Sequence, residues 1–142
     1  MQISKILLPV DGSTHSDHAV EHAIYLAKLS GAHIRAVTCY EWLGNMPEVS
    51  QSVIRELKEK LRQQAEGVLQ KTAEVLEAAG VAYSVESLSG SPGMMLSNLA
   101  KSKEYDLIIM GSHGHSDIAG LFLGSVTHKV LNTIYCPVLV VP

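Results

Sequence analysis

Gly111-Ser-His-Gly114, nine further residues and then Gly124-Ser125 form the part of this chain best suited to chemistry. The string follows the apolar run Tyr105–Met110 and leads into a helix-like segment from Val126. A strand that empties into a glycine-rich loop and then opens a helix can hold phosphate. Glycines let backbone N–H groups come close to an anion, and a helix start adds unpaired donors and a favourable dipole. The spacing matches neither the Walker A loop nor the dinucleotide fingerprint. Gly111 and Gly114 would let the chain turn sharply around a phosphate or ribose, while Gly124 and Ser125 would present N–H groups and a hydroxyl. His113 and His115 lie inside the same loop, in reach of such a phosphate. An ordinary strand–loop–helix connection would use the same glycines for backbone geometry alone, so a phosphate reading needs a second feature.

Asp11 supplies one. It stands where the apolar run Ile6–Val10 ends, and could hydrogen-bond a ribose or base or help hold a phosphate-bound Mg2+. Asp11-Gly-Ser13 is equally good sequence for an Asx-turn or a helix cap. His15, His18 and His22 can share a helical face beside Glu21, but three histidines on a solvent-facing stripe read first as polar surface rather than as a metal site. Cys39 and Cys136 form neither a C-x-x-C nor a Cys/His cluster, and read as small buried side chains rather than a disulfide. No G-x-S-x-G elbow and no carboxylate pair at a strand end is present. Nor is there an evident arginine finger, general base or P-loop lysine, so any nucleotide hydrolysis would be slow. His113-Gly-His115 has one residue between its histidines, which separates it from the H-x-G-H signature of nucleotidyltransferases. The residues favour binding over catalysis, and no catalytic residue is assigned.

The elements that must position these residues are legible in the hydropathy pattern. With 142 residues, 46% apolar and 18% charged, the chain reads as one folded domain over residues 1–142. Such a chain buries roughly 70% of its unfolded surface. A net charge of −3 leaves no footprint for nucleic acid or an anionic membrane. No apolar run approaches transmembrane length, and the chain starts in a strand pattern rather than a signal peptide, so a cytoplasmic protein is expected.

Strand patterns occupy Ile6–Val10, Ile34–Cys39, Val81–Leu88, Tyr105–Met110 and Val138–Val141. A first helix, capped by Ser13 or Ser16 and ended at Gly31, carries Ala19, Val20, Ala23, Ile24 and Ala27 on one face. A long amphipathic helix follows from about Gln51 to Ala79, its apolar positions running from Ile54 through Leu61 and Leu69 to Leu76. Shorter helices are expected from Ser91-Pro92 to Lys101 and from Gly124 to Ile134, and Glu41–Ser50 is the least regular stretch.

Nearly continuous apolar strands alternating with helices imply an α/β domain, an open parallel five-stranded sheet with helices on both faces. The alternating Val81–Leu88 belongs near an edge. Right-handed crossovers place ligands at the carboxyl ends of the strands, beside the point where strand order reverses. In a 3-2-1-4-5 order the first and fourth strands are neighbours, and the Asp11 and Gly111–Ser125 loops line one crevice.

Lys5-Ile-Leu-Leu-Pro-Val-Asp-Gly-Ser13, Gly111-x2-Gly114-x9-Gly124-Ser125 and Cys136-Pro-Val-Leu-Val-Val141 together resemble the universal stress protein family, and specifically its ATP-binding branch, from end to end. The resemblance implies a Rossmann-like fold of the adenine nucleotide alpha hydrolase type that binds ATP, or AMP or ADP, with Mg2+ as an accompanying ion. By that likeness Val10 and Asp11 would meet base and ribose, and Gly111 and Gly114 the ribose and α-phosphate. Gly124, Ser125 and Val126 would meet the remaining phosphates, and Met110 would border the site. The adenine-facing position ending the second strand falls on Cys39, where the family often has a valine after a histidine and this chain reads Val37-Thr-Cys39. Members commonly dimerise through the last strand, and Val138–Val141 is an apolar strand whose edge would otherwise lie open, so a homodimer is expected. The expected function is an ATP-binding stress-response or regulatory protein whose nucleotide state changes its binding to a protein partner. A slow ATPase or phosphoryl or nucleotidyl transferase, and a nucleotide-free interaction domain, are the alternatives.

Overall fold

The structure is a computed structural model, which describes residues 1–42, 44, 46–115, 117, 123–133 and 135–142. Strands β1 (Lys5–Pro9), β2 (His33–Tyr40), β3 (Tyr83–Ser89), β4 (Leu107–Gly111) and β5 (Val138–Val141) form one parallel sheet, as the alternation of elements predicts, in the order β3-β2-β1-β4-β5. Helices α1 (Thr14–Ser30) and α2 (Gln51–Ala79) cover one face, and α3 (Pro92–Lys101) and α4 (Ser125–Leu131) the other. The central strand shows why both faces are needed. Ile6 and Leu8 point into one core with Ala19, Ala23 and Leu76, while Leu7 between them points into the other with Leu96 and Val130. β3 is an edge strand, in keeping with its alternating sequence.

Ser13 caps α1, its Oγ accepting the Ser16 N–H at 3.2 Å, and Gly31 ends it with φ at 75° and an N–H donated to the Ala27 carbonyl. The predicted face of α1 is the buried one, and its small alanines let the helix lie close over β4. α2 has the predicted span but not the predicted contact. Only its later turns are buried in the core, through Ala65, Leu69, Thr72 and Leu76, while Leu57 stays 38% exposed. A helix of 29 residues is about 44 Å long. Strands of four to eight residues span no more than about 27 Å, so its first turns overrun the sheet.

α4 is shorter than the periodicity predicts and ends at Leu131. Beyond it the Thr133 N–H donates to the Val130 carbonyl at 3.0 Å, a tighter i−3 turn; position 134 lies outside the described residues, as does Asn45 in the irregular Glu41–Ser50 stretch. β4 begins later than its apolar run because Asp106 turns its carboxylate to the N–H groups of Ser4 and Lys5, at 2.8 and 2.9 Å. Among the described residues no helix is long and apolar enough to cross a membrane.

A single proline shapes the carboxyl edge of the sheet. β1 pairs with β2 from Lys5 through Pro9, but with β4 only at Ile6↔Leu107 and Leu7↔Ile108. The Val10 N–H donates towards β2, to the Val37 carbonyl at 2.8 Å. Strand alternation therefore turns the nitrogen of Pro9 towards β4, where proline has no hydrogen to give. The ladder ends there, and β1 and β4 go their own ways at their carboxyl ends.

Gly111 closes β4 directly beneath α1: a Cβ there would lie 2.8 Å from His15 Cβ and 2.9 Å from the His15 carbonyl carbon. Gly111→Ala is expected to lower stability by about 1–3 kcal/mol. Gly67, mid-helix in α2 with open space around it, gives the opposite sign, Gly67→Ala gaining about 0.5–1 kcal/mol. Denaturant unfolding of the two variants measures both, and equal shifts would refute the close-packing account of Gly111.

Candidate functional site

Where β1 and β4 part, a cleft of 240 Å³ opens at the carboxyl edge of the sheet. Its character changes along its length. Val10, Val37 and Cys39 at the ends of β1 and β2, Met110 of β4, and Pro92 and Leu96 of α3 make one end apolar. Asp11, His113, Gly114, His115, Asp117 and Ser125 make the other end polar. Gly111 and Val126 line the wall between.

At the apolar end, burial pushes the Cys39 thiol up to about 11, so at neutral pH it is an uncharged, weakly polar wall. Neither cysteine is in a disulfide. At the polar end, Asp11 makes the Asx-turn that its sequence allowed and a second bond that the sequence did not show. Its Oδ1 accepts the Ser13 N–H at 2.9 Å, an Asx-turn that leads into α1, and its Oδ2 accepts the His115 N–H from the other loop at 3.3 Å. One carboxylate thus ties the two loops together across the cleft.

The glycines of the long motif are required for room. None of Gly111, Gly114 and Gly124 has a positive φ. A Cβ on Gly114 would stand 2.7 Å from Asp11 Oδ2, and one on Gly124 would collide with Asp117 Oδ2. Gly124 also differs from expectation in its hydrogen bonding: its N–H donates to the Ser112 carbonyl at 2.7 Å, so it closes the loop and does not line the cleft. Below it, the buried Thr127 hydroxyl donates to the Gly111 carbonyl at 2.9 Å and the Ser112 N–H to the Val141 carbonyl at 2.7 Å. These bonds anchor the loop to β4, α4 and β5 at once.

Asp117 is the residue that spacing could not reveal. Its carboxylate receives the Gly114 N–H at 2.5 Å, the Ser125 N–H at 3.2 Å and the Ser125 hydroxyl at 3.4 Å. Burial works against its charge, but those donors and the nearby His113 outweigh it, and the carboxyl is held below its ordinary range. The available signal was an acid three residues past Gly114, inside a loop suited to anions. Pro92 and Leu96 were also missed as site residues, because a helix pattern does not say which turn faces a cleft.

The α1 histidines do not converge. His15 faces His113 with ring centroids 5.3 Å apart, the His18 ring donates to the Pro142 carbonyl, and the His22 ring donates to the His18 carbonyl. Among the described residues no group of three or more His, Cys, Asp or Glu side chains could hold a metal ion.

Residues 2–142 match the model of the universal stress protein family. The universal stress protein MJ0531 of Methanocaldococcus jannaschii is 36% identical over 140 residues, which cover 96% of this chain and 81% of that protein. The solved structure of MJ0577 from the same organism is 30% identical, with a TM-score of 0.83 over 99% of this chain and 96% of that one. A universal stress protein crystallised in complex with cAMP is 28% identical, with a TM-score of 0.73 over 100% of this chain and 99% of that one.

The raised pKa of Cys39 sets a chemical expectation. In a Cys136→Ser protein at pH 8, alkylation of Cys39 by iodoacetamide should run on the order of 100-fold slower than that of free cysteine. Mass spectrometry of timed samples measures the rate, and alkylation at the free-cysteine rate would show that the thiol is not buried as described.

Proposed function

We propose that this chain, which belongs to the universal stress protein family, binds an adenine nucleotide, ATP foremost, in the cleft between β1 and β4. Its nucleotide state then changes which protein partner it holds, a regulatory or stress-response role taken from the family. The observation that carries the binding reading is the cleft's two-ended chemistry at the strand-order switch point. An apolar slot suits a base, and a loop rich in backbone donors beside it suits ribose and phosphate. The cAMP complex of a relative supports the same ligand class.

In this reading Val10, Cys39 and Met110 flank the base, the neutral Cys39 thiol serving as the small wall where relatives often place valine. Asp11 meets the ribose, and Gly111 and Gly114 let ribose and α-phosphate approach the backbone. Ser125 and Val126 meet the outer phosphates, with Gly124 holding the loop closed behind them. Hydrated Mg2+ needs one or two carboxylates besides the phosphates, and Asp11 is the cleft carboxylate suited to it. The unpaired edge of β5 favours a homodimer in which two copies of Val138–Val141 meet.

Calorimetric titration with ATP and with adenosine tests the site. Gly114→Val, whose Cβ would press on Asp11 Oδ2 at the polar end of the cleft, is expected to weaken ATP by at least about tenfold, some 1.4 kcal/mol, with the fold intact by circular dichroism. Unchanged affinity would remove the cleft as the site. Light scattering at tens of micromolar protein should give about twice the 15.3 kDa chain mass; a single-chain mass would remove the dimer.

A further inference from the structure

We infer that Asp117 is a built-in competitor for the phosphate end of the cleft, so that this chain discriminates among adenine ligands by the charge they carry there. The inference rests on the adenine-nucleotide reading of the cleft and adds to it a residue that sets specificity.

Among the described residues, the Gly114 N–H, the Ser125 N–H and the Ser125 hydroxyl are donors that a phosphate at this end would use, and these three donate to the Asp117 carboxylate. The His115 N–H is likewise given to the Asp11 carboxylate, and the Gly124 N–H to the Ser112 carbonyl. Asp117 Oδ2 also fills the space above Gly124 that the absent Cβ leaves. The carboxylate therefore stands where an incoming phosphate oxygen would stand, with the same sign of charge and the same class of donors. Its donors keep it ionised at neutral pH.

A phosphate group entering this end must displace Asp117 or lie beside it. Displacement exchanges one set of charge-assisted hydrogen bonds for another, and lying beside it sets like charges a few ångströms apart. A nucleoside that occupies only the apolar end disturbs neither. ATP should consequently bind more weakly than the cleft's donors would otherwise allow, and removing the Asp117 charge should raise ATP affinity relative to adenosine. The glycine spacing of the motif does not dictate this behaviour, because Asp117 lies within the nine residues that the spacing leaves open.

The test titrates wild type, Asp117→Asn and Asp117→Ser with adenosine and with ATP, in EDTA and again with Mg2+, after thermal melts confirm that the variants fold. The expected result is a gain of about tenfold in ATP affinity for both variants in EDTA, with adenosine affinity changed less than twofold. If both ligands weaken together, Asp117 is only a loop clamp and the inference is overturned. An unchanged ATP-to-adenosine ratio overturns it as well. Weaker Mg2+–ATP binding by the variants would make Asp117 a cation ligand instead, again against it. If neither ligand binds wild type or variants, the nucleotide reading itself fails and takes this one with it, an outcome distinct from binding without discrimination.

Discussion

β1 and β4 pair no further than Leu7 and Ile108, and the site depends on that loss. A fully paired sheet would carry the two strands side by side to their ends and leave no floor for a ligand. Here Pro9 stands at the last position of β1 with its nitrogen towards β4, so the bond that would continue the ladder has no donor. On its other side β1 keeps pairing with β2 as far as Pro9 and Val37, which holds the strand in place while its partner turns away. The crossovers from β1 to α1 and from β4 to α4 leave in different directions from this point, and their loops become the two lips of the cleft.

The lips are held by close approach and by hydrogen bonds. α1 can lie against the end of β4 because Gly111 carries no Cβ where the His15 backbone passes. Thr127, Ser112 and Gly124 then fasten the glycine loop to β4, to β5 and to itself through backbone groups. Two separate cores, one on each face of the sheet, keep the strands that carry these loops rigid. The result is a loop with its donors gathered at one place and its carboxylates, Asp11 and Asp117, gathered there too. Each carboxylate accepts backbone N–H groups, Asp11 from Ser13 and His115 and Asp117 from Gly114 and Ser125.

Much of this was legible in the order of residues. Strands buried on both faces must be apolar at consecutive positions, so Ile6–Val10 and Tyr105–Met110 announce a parallel sheet, and the alternation in β3 announces an edge. Helix starts and stops at Ser13, Gly31 and Gly80 follow from local capping chemistry and needed no tertiary information. The contact made by α2 was not legible, since periodicity records which side of a helix is apolar but not how far the sheet beneath it extends. The end of α4 was not legible either, since the backbone tightens to an i−3 bond at Thr133 while the apolar pattern continues.

The sequence by itself determined the fold class and the two loops that carry the polar groups, because hydropathy period and glycine spacing are properties of neighbouring residues. Only the tertiary structure decided what the loops do to one another. Asp11 reaches His115, 104 positions away, and that bond exists only because the sheet makes β1 and β4 neighbours. Gly124 turns out to close the loop, and Asp117 turns out to take the donors that spacing alone would hand to a phosphate. A side chain's hydrogen-bond partner is chosen by position in space, and a one-dimensional pattern can name the donors without saying which acceptor arrives first.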